Sequence, residues 1–183
     1  MATVRSPETL VLPKTLILLR HGKSGYPAGT ADHERPLADR GWREAGLAGA
    51  WLRGEGFDID QVLCSTARRT RETLQATEVK AAAQFHPRLY GASDVEVVGL
   101  VAELPESVAT ALVVGHHPGM PQTAEALHEL AARHAGSAGA GNPALARLLE
   151  KYPTSALTVI RVAGSWAELP VRGGEVAQFH IPR

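Results

Sequence analysis

Short apolar runs alternate along this chain with longer stretches in which apolar residues recur every three or four positions. Runs of this length and composition are typical of buried β-strands, and the longer periodicity is typical of amphipathic helices. The predicted strands are Thr15–Arg20, Gln61–Ser65, Thr110–Gly115 and Ala156–Val162. The predicted helices are one that Asp39 caps and that ends at Gly54 or Gly56, then about Thr66–Lys80, Ser93–Leu104 and Pro121–His134.

Strands that alternate with helices of this length favour an α/β fold. We expect a three-layer sandwich with a largely parallel central sheet. Glu175–His180 is also strand-like. Either this segment or Ala156–Val162 is expected to form an antiparallel edge strand.

The length of 183 residues predicts one folded unit. We assign residues 1–13 to an N-terminal extension and residues 14–183 to the domain. Ala135–Pro143 has the Gly- and Ala-rich composition of a linker, which predicts a surface excursion whose role the sequence leaves open.

Charge and cysteine content narrow the classes of function. The 19 basic and 19 acidic residues balance, so nothing predicts a nucleic-acid or membrane-surface partner. The single cysteine, Cys64, fits a reducing compartment, and the N-terminus has too short an apolar stretch for a signal peptide. These features predict a cytoplasmic protein. The oligomeric state stays open.

Three of the predicted strands end in polar clusters. Arg20-His21-Gly22 follows the first, the segment from Ser65 through Arg68 and Arg69 follows the second, and His116 follows the third. Ligands of α/β sheets bind beyond the carboxyl ends of the strands. If the strands are parallel neighbours, the clusters meet in one pocket. Gly22 is expected to permit a sharp turn and a close approach of the ligand.

The residue types in this pocket suit phosphoryl transfer. Guanidinium groups from Arg20 and from the Arg68/Arg69 pair can hold phosphoryl oxygens. A neutral imidazole can attack phosphorus if a backbone carbonyl holds its other nitrogen, and a second, protonated imidazole can stabilise the transition state. Metal-site and P-loop motifs are lacking, so we predict no metal and no cofactor.

These motifs resemble those of the histidine phosphatase superfamily. Arg20-His21-Gly22 is similar to its Arg-His-Gly signature, which implies that His21 is the nucleophile. Ser65-x-x-x-Arg69-x-x-x-Thr73 resembles the segment that supplies the second phosphate arginine, and Gly115-His116-x-Pro118-Gly119 resembles the turn with the second histidine. The resemblance therefore implies a phosphoglycerate-mutase-like fold and the catalytic set Arg20, His21, Arg69 and His116.

A subgroup is also indicated. The segments Arg20–Ser24, His33–Leu37 and Leu89-Tyr90 resemble those of the SixA-type phosphohistidine phosphatases. Lys23 and Arg35 are expected to contact substrate at the rim of the pocket. The general acid of larger family members has no clear match, and Asp94, Glu96 and Glu103 are its loose candidates.

We therefore predict a phosphatase that forms a phosphohistidine intermediate and acts on protein phosphohistidine, such as that of a phosphotransfer domain. A weak acid site favours this substrate, because imidazole leaves without the proton that an alkoxide requires. Two alternatives stay open. One is a phosphatase of sugar or nucleotide phosphates with the same mechanism, and the other is a non-catalytic phosphate-binding module.

Overall fold

A six-stranded mixed sheet forms the centre of the protein. The computed structural model describes residues 13–136 and 141–183. The strands are β1 Lys14–Arg20, β2 Gln61–Ser65, β3 Ala82–His86, β4 Thr110–Gly115, β5 Leu157–Val162 and β6 Glu175–His180. The α-helices are α1 Asp39–Gly54, α2 Arg68–Thr77, α3 Asp94–Ala102, α4 Gly119–His134, α5 Pro143–Glu150 and α6 Leu169–Arg172. Short 3₁₀ helices span Asp32–Glu34, Pro87–Leu89 and Trp166–Glu168.

The strand order is β3-β2-β4-β1-β5-β6. β1 pairs in parallel with β4, and β2 pairs in parallel with both β4 and β3. β5 pairs antiparallel with β1 on one side and with β6 on the other. Among the described strands, β5 alone therefore runs against the rest, and the edge strand β6 has the antiparallel pairing that the sequence predicts.

Helices cover both faces of the sheet and give it a core on each side. Leu16 and Leu18 of β1 pack with α3, α4, α5 and α6, whereas Ile17 and Leu19 pack with α1. Because successive residues of a strand point to opposite faces, a strand covered on both sides is apolar throughout. This arrangement explains the uninterrupted apolar run of β1 and confirms the predicted α/β three-layer sandwich.

Several elements differ from the sequence prediction. β3 was not predicted, because it lies at the sheet edge with mostly exposed side chains and has no apolar alternation. The helix α5 was not predicted either, since the Gly- and Ala-rich stretch before it masked its start at Pro143. Asp39 is the first residue of α1 rather than its cap, which is Ala38.

Two predictions fall mainly or partly on residues that the structure does not describe. The proposed N-terminal extension lies outside the described residues except for Pro13. Of the predicted excursion Ala135–Pro143, residues 137–140 also lie outside them. Its end is ordered as the start of α5, where the Asn142 side chain accepts hydrogen bonds from the amides of Ala144 and Leu145.

Within residues 13–136 and 141–183, no helix has the length and apolar content that a membrane crossing requires.

Candidate active site

The carboxyl ends of β1, β2 and β4 bring the three predicted polar clusters together. These strands are neighbours in the sheet and run in parallel, so Arg20, Ser65 and Gly115 end at the same edge. The rings of His21 and His116 lie with their centroids 5.1 Å apart. The convergence that the sequence predicts is therefore present in the structure.

One ring nitrogen of His21 is hydrogen-bonded to the backbone, and the other is left available to react. Its Nδ1 lies 2.8 Å from the carbonyl oxygen of Gly22. Because a carbonyl only accepts, Nδ1 carries the proton, and the lone pair of a neutral ring is on Nε2. Burial, followed by the positive charge of Arg69, lowers the pKa of His21 to about 4. The imidazole is thus neutral at pH 7, as a nucleophile must be.

The loop that carries His21 is held by its backbone. The His21 amide donates to the Gly115 carbonyl at 3.0 Å, and the Gly22 amide donates to the Thr73 hydroxyl at 2.9 Å. Gly22 does not adopt the left-handed conformation expected of a sharp turn. It is instead crowded by α1, because a Cβ at this position would lie 2.9 Å from the Gly41 carbonyl oxygen. The close approach expected of a ligand is made here by a helix.

Arg69, rather than Arg68, faces the pocket. Arg69 is buried, and its Nη2 lies 3.4 Å from Nδ1 of His116. Arg68 is half exposed and pairs with Glu72 at 2.7 Å, on the outer side of α2. Since Arg69 and Thr73 are one helical turn apart, both point toward the loop of His21.

His116 is held between two partners at the end of β4. Its Nε2 lies 2.8 Å from the Ser65 hydroxyl, and Arg69 donates to its Nδ1. A nitrogen that accepts from a guanidinium is unprotonated, so the neutral ring carries its proton on Nε2. Burial, followed by the neighbouring His21 and Arg69, lowers the pKa of His116 to about 3. His116 is therefore neutral at pH 7 in this structure, whereas the protonated imidazole expected among phosphoryl oxygens in the transition state stays a prediction.

Arg20 is anchored from the chain segment before β5. Its Nη1 donates to the Tyr152 carbonyl at 2.6 Å, and its Nε is buried without a hydrogen-bond partner in the described structure. Ser155 has a left-handed φ of 63°, and its amide donates to the carbonyls of Arg20 and His21 at 3.1 and 3.2 Å. Neither Tyr152 nor Ser155 was identified from the sequence.

The two predicted rim residues differ in their surroundings. Arg35 is engaged, because it donates to the Gly25 carbonyl at 3.0 Å, to Asp32 at 2.8 Å and to the Ser24 hydroxyl. Lys23 is exposed, with its Nζ 6.0 Å from the centre of the Tyr26 ring.

A carboxylate that sequence reasoning missed lies at the pocket. Asp32 accepts from Nη2 of Arg69 at 3.1 Å and from the Tyr90 hydroxyl at 2.5 Å. The ring of Tyr90 meets His116 edge to face, with centroids 5.4 Å apart. No local motif marks Asp32, and its position in the polar loop just after the Arg-His-Gly turn is the only signal of it in the sequence.

The predicted general-acid candidates make no contact with the pocket residues in the described structure. Glu96 is exposed and closes a capping box with Ser93 at the start of α3. Glu103 is exposed and lies 3.9 Å from Arg88. Asp94 is in the first turn of α3. None of the three has a contact with His21, Arg69 or His116 in the hydrogen bonds and ion pairs of the described residues.

No residues suited to a resident metal ion were found where the structure describes the chain, since no group of three or more His, Cys, Asp or Glu side chains is placed to bind one. Cys64 is buried within β2, and burial raises the pKa of its thiol to about 12. Cys64 is thus an inert core residue.

Comparisons with known proteins identify the family. The family model of the histidine phosphatase superfamily (branch 1) matches residues 16–160. An uncharacterised protein of Mycobacterium tuberculosis is 47% identical over 165 residues, which cover 90% of this chain and all of that protein. The phosphohistidine phosphatase SixA of Escherichia coli is 33% identical over 109 residues, which are 56% of this chain and 67% of that one.

Solved structures agree. A candidate phosphohistidine phosphatase SixA from Nakamurella multipartita has a TM-score of 0.87 at 36% identity, with 93% of this chain and 96% of that chain covered. A mycobacterial glucosyl-3-phosphoglycerate phosphatase shares the fold at 17% identity, with a TM-score of 0.62 over 93% of this chain and all of that one. The resemblance drawn from the motifs is confirmed: the chain belongs to the histidine phosphatase superfamily and is a metal-independent phosphatase.

Proposed function

We propose that this phosphatase removes the phosphoryl group from protein phosphohistidine, with His21 as the nucleophile. The single observation that carries the proposal is the bond between Nδ1 of His21 and the Gly22 carbonyl, which leaves the Nε2 lone pair free inside a pocket of arginines. In the first step this lone pair forms a bond to phosphorus as the bond to the leaving group breaks. In the second step water attacks phosphorus, Nε2 recovers its electron pair, and the proton of water leaves with phosphate.

Arg20, Arg69 and His116 are proposed to hold the transferred group. The two guanidiniums carry fixed positive charge and match the oxygens of a phosphoryl group. Arg69 is oriented by His116 and by its bond to the backbone carbonyl of Asp32. Such preorganised charge stabilises the transition state without rearrangement during the reaction.

The choice of phosphohistidine rests on the leaving group. An alkoxide needs a proton as it departs, and none of the carboxylates named as candidates from the sequence contacts His21, Arg69 or His116 in the described residues. An imidazole protonated on its far nitrogen departs as a neutral molecule. The 33% identity to the Escherichia coli phosphohistidine phosphatase supports the same choice. Lys23, exposed just after the nucleophile, is proposed to contact the partner protein at the rim.

The test is phosphate release from a phosphohistidine-bearing phosphotransfer domain, measured beside a panel of phosphosugars and nucleotides. His21→Ala should abolish release, and His134→Ala, a change at an exposed histidine at the end of α4, should not. Acid-labile phosphate trapped on His21 would identify the intermediate.

Other outcomes are distinct. Faster release from a metabolite than from the protein would assign the enzyme to small-molecule substrates with the mechanism intact. No turnover of any substrate, together with phosphate affinity that survives His21→Ala, would instead support a binding module.

A further inference from the structure

Asp32 is the carboxylate at the mouth of the pocket, and three donors hold it in place. Oδ2 accepts from the Tyr90 hydroxyl at 2.5 Å and from Nη2 of Arg69 at 3.1 Å, and Oδ1 accepts from Nη1 of Arg35 at 2.8 Å. Its backbone carbonyl accepts a further bond from Nη1 of Arg69 at 2.6 Å. The position of this side chain is therefore fixed relative to the phosphate-binding arginine.

These contacts leave one acceptor position open. A carboxylate offers about four lone-pair sites, and the three donors occupy two on Oδ2 and one on Oδ1. The side chain of Asp32 is 53% exposed, which leaves room for a further donor. Hydrogen bonds from Tyr90 and then from Arg35 lower the pKa of this carboxyl below its usual value. Asp32 is thus an ionised acceptor and has no proton to give.

In-line transfer places the leaving group of the substrate opposite Nε2 of His21. A contact between Asp32 and the leaving group requires that this is the side of the pocket on which Asp32 lies. Nη2 of Arg69 contacts both His116 within the pocket and Asp32 at the mouth. Asp32 is therefore in direct contact with an arginine that is proposed to hold phosphate. A donor on the leaving group, and above all a positively charged one, would complete the open acceptor site.

We propose that Asp32 binds the N–H of the far ring nitrogen of the phosphohistidine side chain and thereby selects phosphoramidates over phosphate monoesters. This inference rests on the proposed function and names the group that recognises its leaving group. As Nε2 of His21 bonds to phosphorus, the P–N bond of the substrate breaks and its electron pair returns to the substrate ring. The far N–H keeps its proton throughout, so the ring leaves as neutral imidazole.

The same site is poor for an alkyl phosphate. Its leaving oxygen has no hydrogen to donate to Asp32 and takes on negative charge beside a carboxylate. Asp32 cannot relieve that charge, because it is held ionised. An aryl phosphate such as p-nitrophenyl phosphate is therefore the useful comparison substrate, because its phenolate spreads the negative charge over the ring and leaves without a proton. Its cleavage uses the phosphate site and requires no N–H at Asp32.

The experiment compares Asp32→Asn with the parent enzyme on a phosphohistidine peptide and on p-nitrophenyl phosphate. We expect kcat/KM for the peptide to fall by roughly ten- to a hundredfold, the usual effect of losing a hydrogen bond to a charged group. For the aryl phosphate we expect a change below about threefold, and inorganic phosphate should inhibit the variant at least as well as the parent. These two readouts report whether Arg69 stays in place.

Glu34→Gln is the matched control. Glu34 is a carboxylate of the same 3₁₀ helix, 56% exposed, and its hydrogen bond goes to His33 rather than to Arg69. It should leave the ratio of the two substrates unchanged.

An equal loss on both substrates, or weaker inhibition by phosphate, would assign Asp32 to the positioning of Arg69 and overturn the proposal. An unchanged ratio in Asp32→Asn would overturn it as well. If the parent enzyme releases no phosphate from the peptide but cleaves the aryl phosphate through His21, the proposed function itself fails, which is a different result.

Discussion

The Thr73 hydroxyl links the loop of His21 to the helix that carries Arg69. It accepts from the Gly22 amide at 2.9 Å and donates to the Arg69 carbonyl at 2.6 Å. The hydroxyl thus both accepts and donates a hydrogen bond, and the residue is fully buried. The loop of His21 and the start of α2 are therefore joined by a single side chain.

Replacing Thr73 by valine keeps the shape and removes this link. The buried Gly22 amide would lose its acceptor, which costs about 1–3 kcal/mol in the free energy of unfolding. We also expect a lower kcat, because the Gly22 carbonyl that orients His21 belongs to the same residue. Urea denaturation and turnover measure the two effects. Thr73→Ser keeps the hydroxyl and should retain most of both, and a valine variant as stable and active as the parent would refute this role.

Sequence motifs predicted the residues of the pocket that sit beside a strand end or on a helix turn. Arg69 could be distinguished from Arg68 because its spacing to Ser65 and Thr73 matches the family pattern. Asp32 could not be predicted, since its contact with Arg69 joins positions 37 residues apart and depends on how a polar loop folds back. Tyr152 was missed for a similar reason, because it acts through its backbone carbonyl.

At the scale of elements, α1 and α2 pack closely enough that their backbones meet. A Cβ at Gly49 would lie 2.0 Å from the Thr77 carbonyl oxygen, so α2 leaves no room for a side chain there. Arg53 adds a hydrogen bond from α1 to the same carbonyl at 2.7 Å. Because α2 carries Arg69, this contact fixes the position of Arg69 relative to the sheet.

Gly49→Ala should therefore destabilise the protein. Forcing the helices apart costs about 1–3 kcal/mol, more than alanine gains over glycine in a helix. The Tm of the variant should fall, and KM for substrate should rise as Arg69 shifts. Gly54→Ala, in the same helix with open space around its Cβ, should instead be neutral or stabilising by up to about 1 kcal/mol. Equal Tm changes for the two variants would contradict the packing argument.

The elements that the sequence predicted well are those buried on two faces. β1, β2 and β4 are nearly continuous apolar runs, because helices cover the sheet on both sides. β3 carries mostly exposed side chains and is held in the sheet by backbone pairing with β2. Amino-acid composition does not reveal such pairing. α5 was not predicted, because the Gly-rich stretch before it dominates the local amino-acid composition.

At the scale of the whole molecule, the two neutral histidines of the pocket make the stability of the protein depend on pH. Burial holds His21 and His116 neutral, with pKa values of about 4 and 3. In the unfolded chain a histidine has a pKa of about 6.5. Below pH 6.5 the unfolded chain therefore takes up protons that the folded protein does not, and the free energy of unfolding falls as the pH falls.

We expect this loss to reach about 1.4 kcal/mol per pH unit for each of the two histidines once the unfolded chain is protonated. Urea denaturation between pH 7.5 and 5 measures it, in a window above the range where carboxylates titrate. A variant with both His21→Asn and His116→Gln should lose most of this slope. A parent protein whose stability is flat across the window would show that the pocket accepts protons in the folded state.

The antiparallel direction of β5 also determines when, during synthesis of the chain, the pocket can form. Because β5 runs against β1, its first residues reach the site, and Ser155 completes the backbone contacts of Arg20 and His21. His21 thus leaves the ribosome well before Ser155, which supports its loop. At 5–20 residues per second, roughly 7–27 s separate the two. A nascent or stalled chain that ends before Ser155 therefore carries His21 without a finished pocket, and we expect phosphatase activity only once β5 has been made.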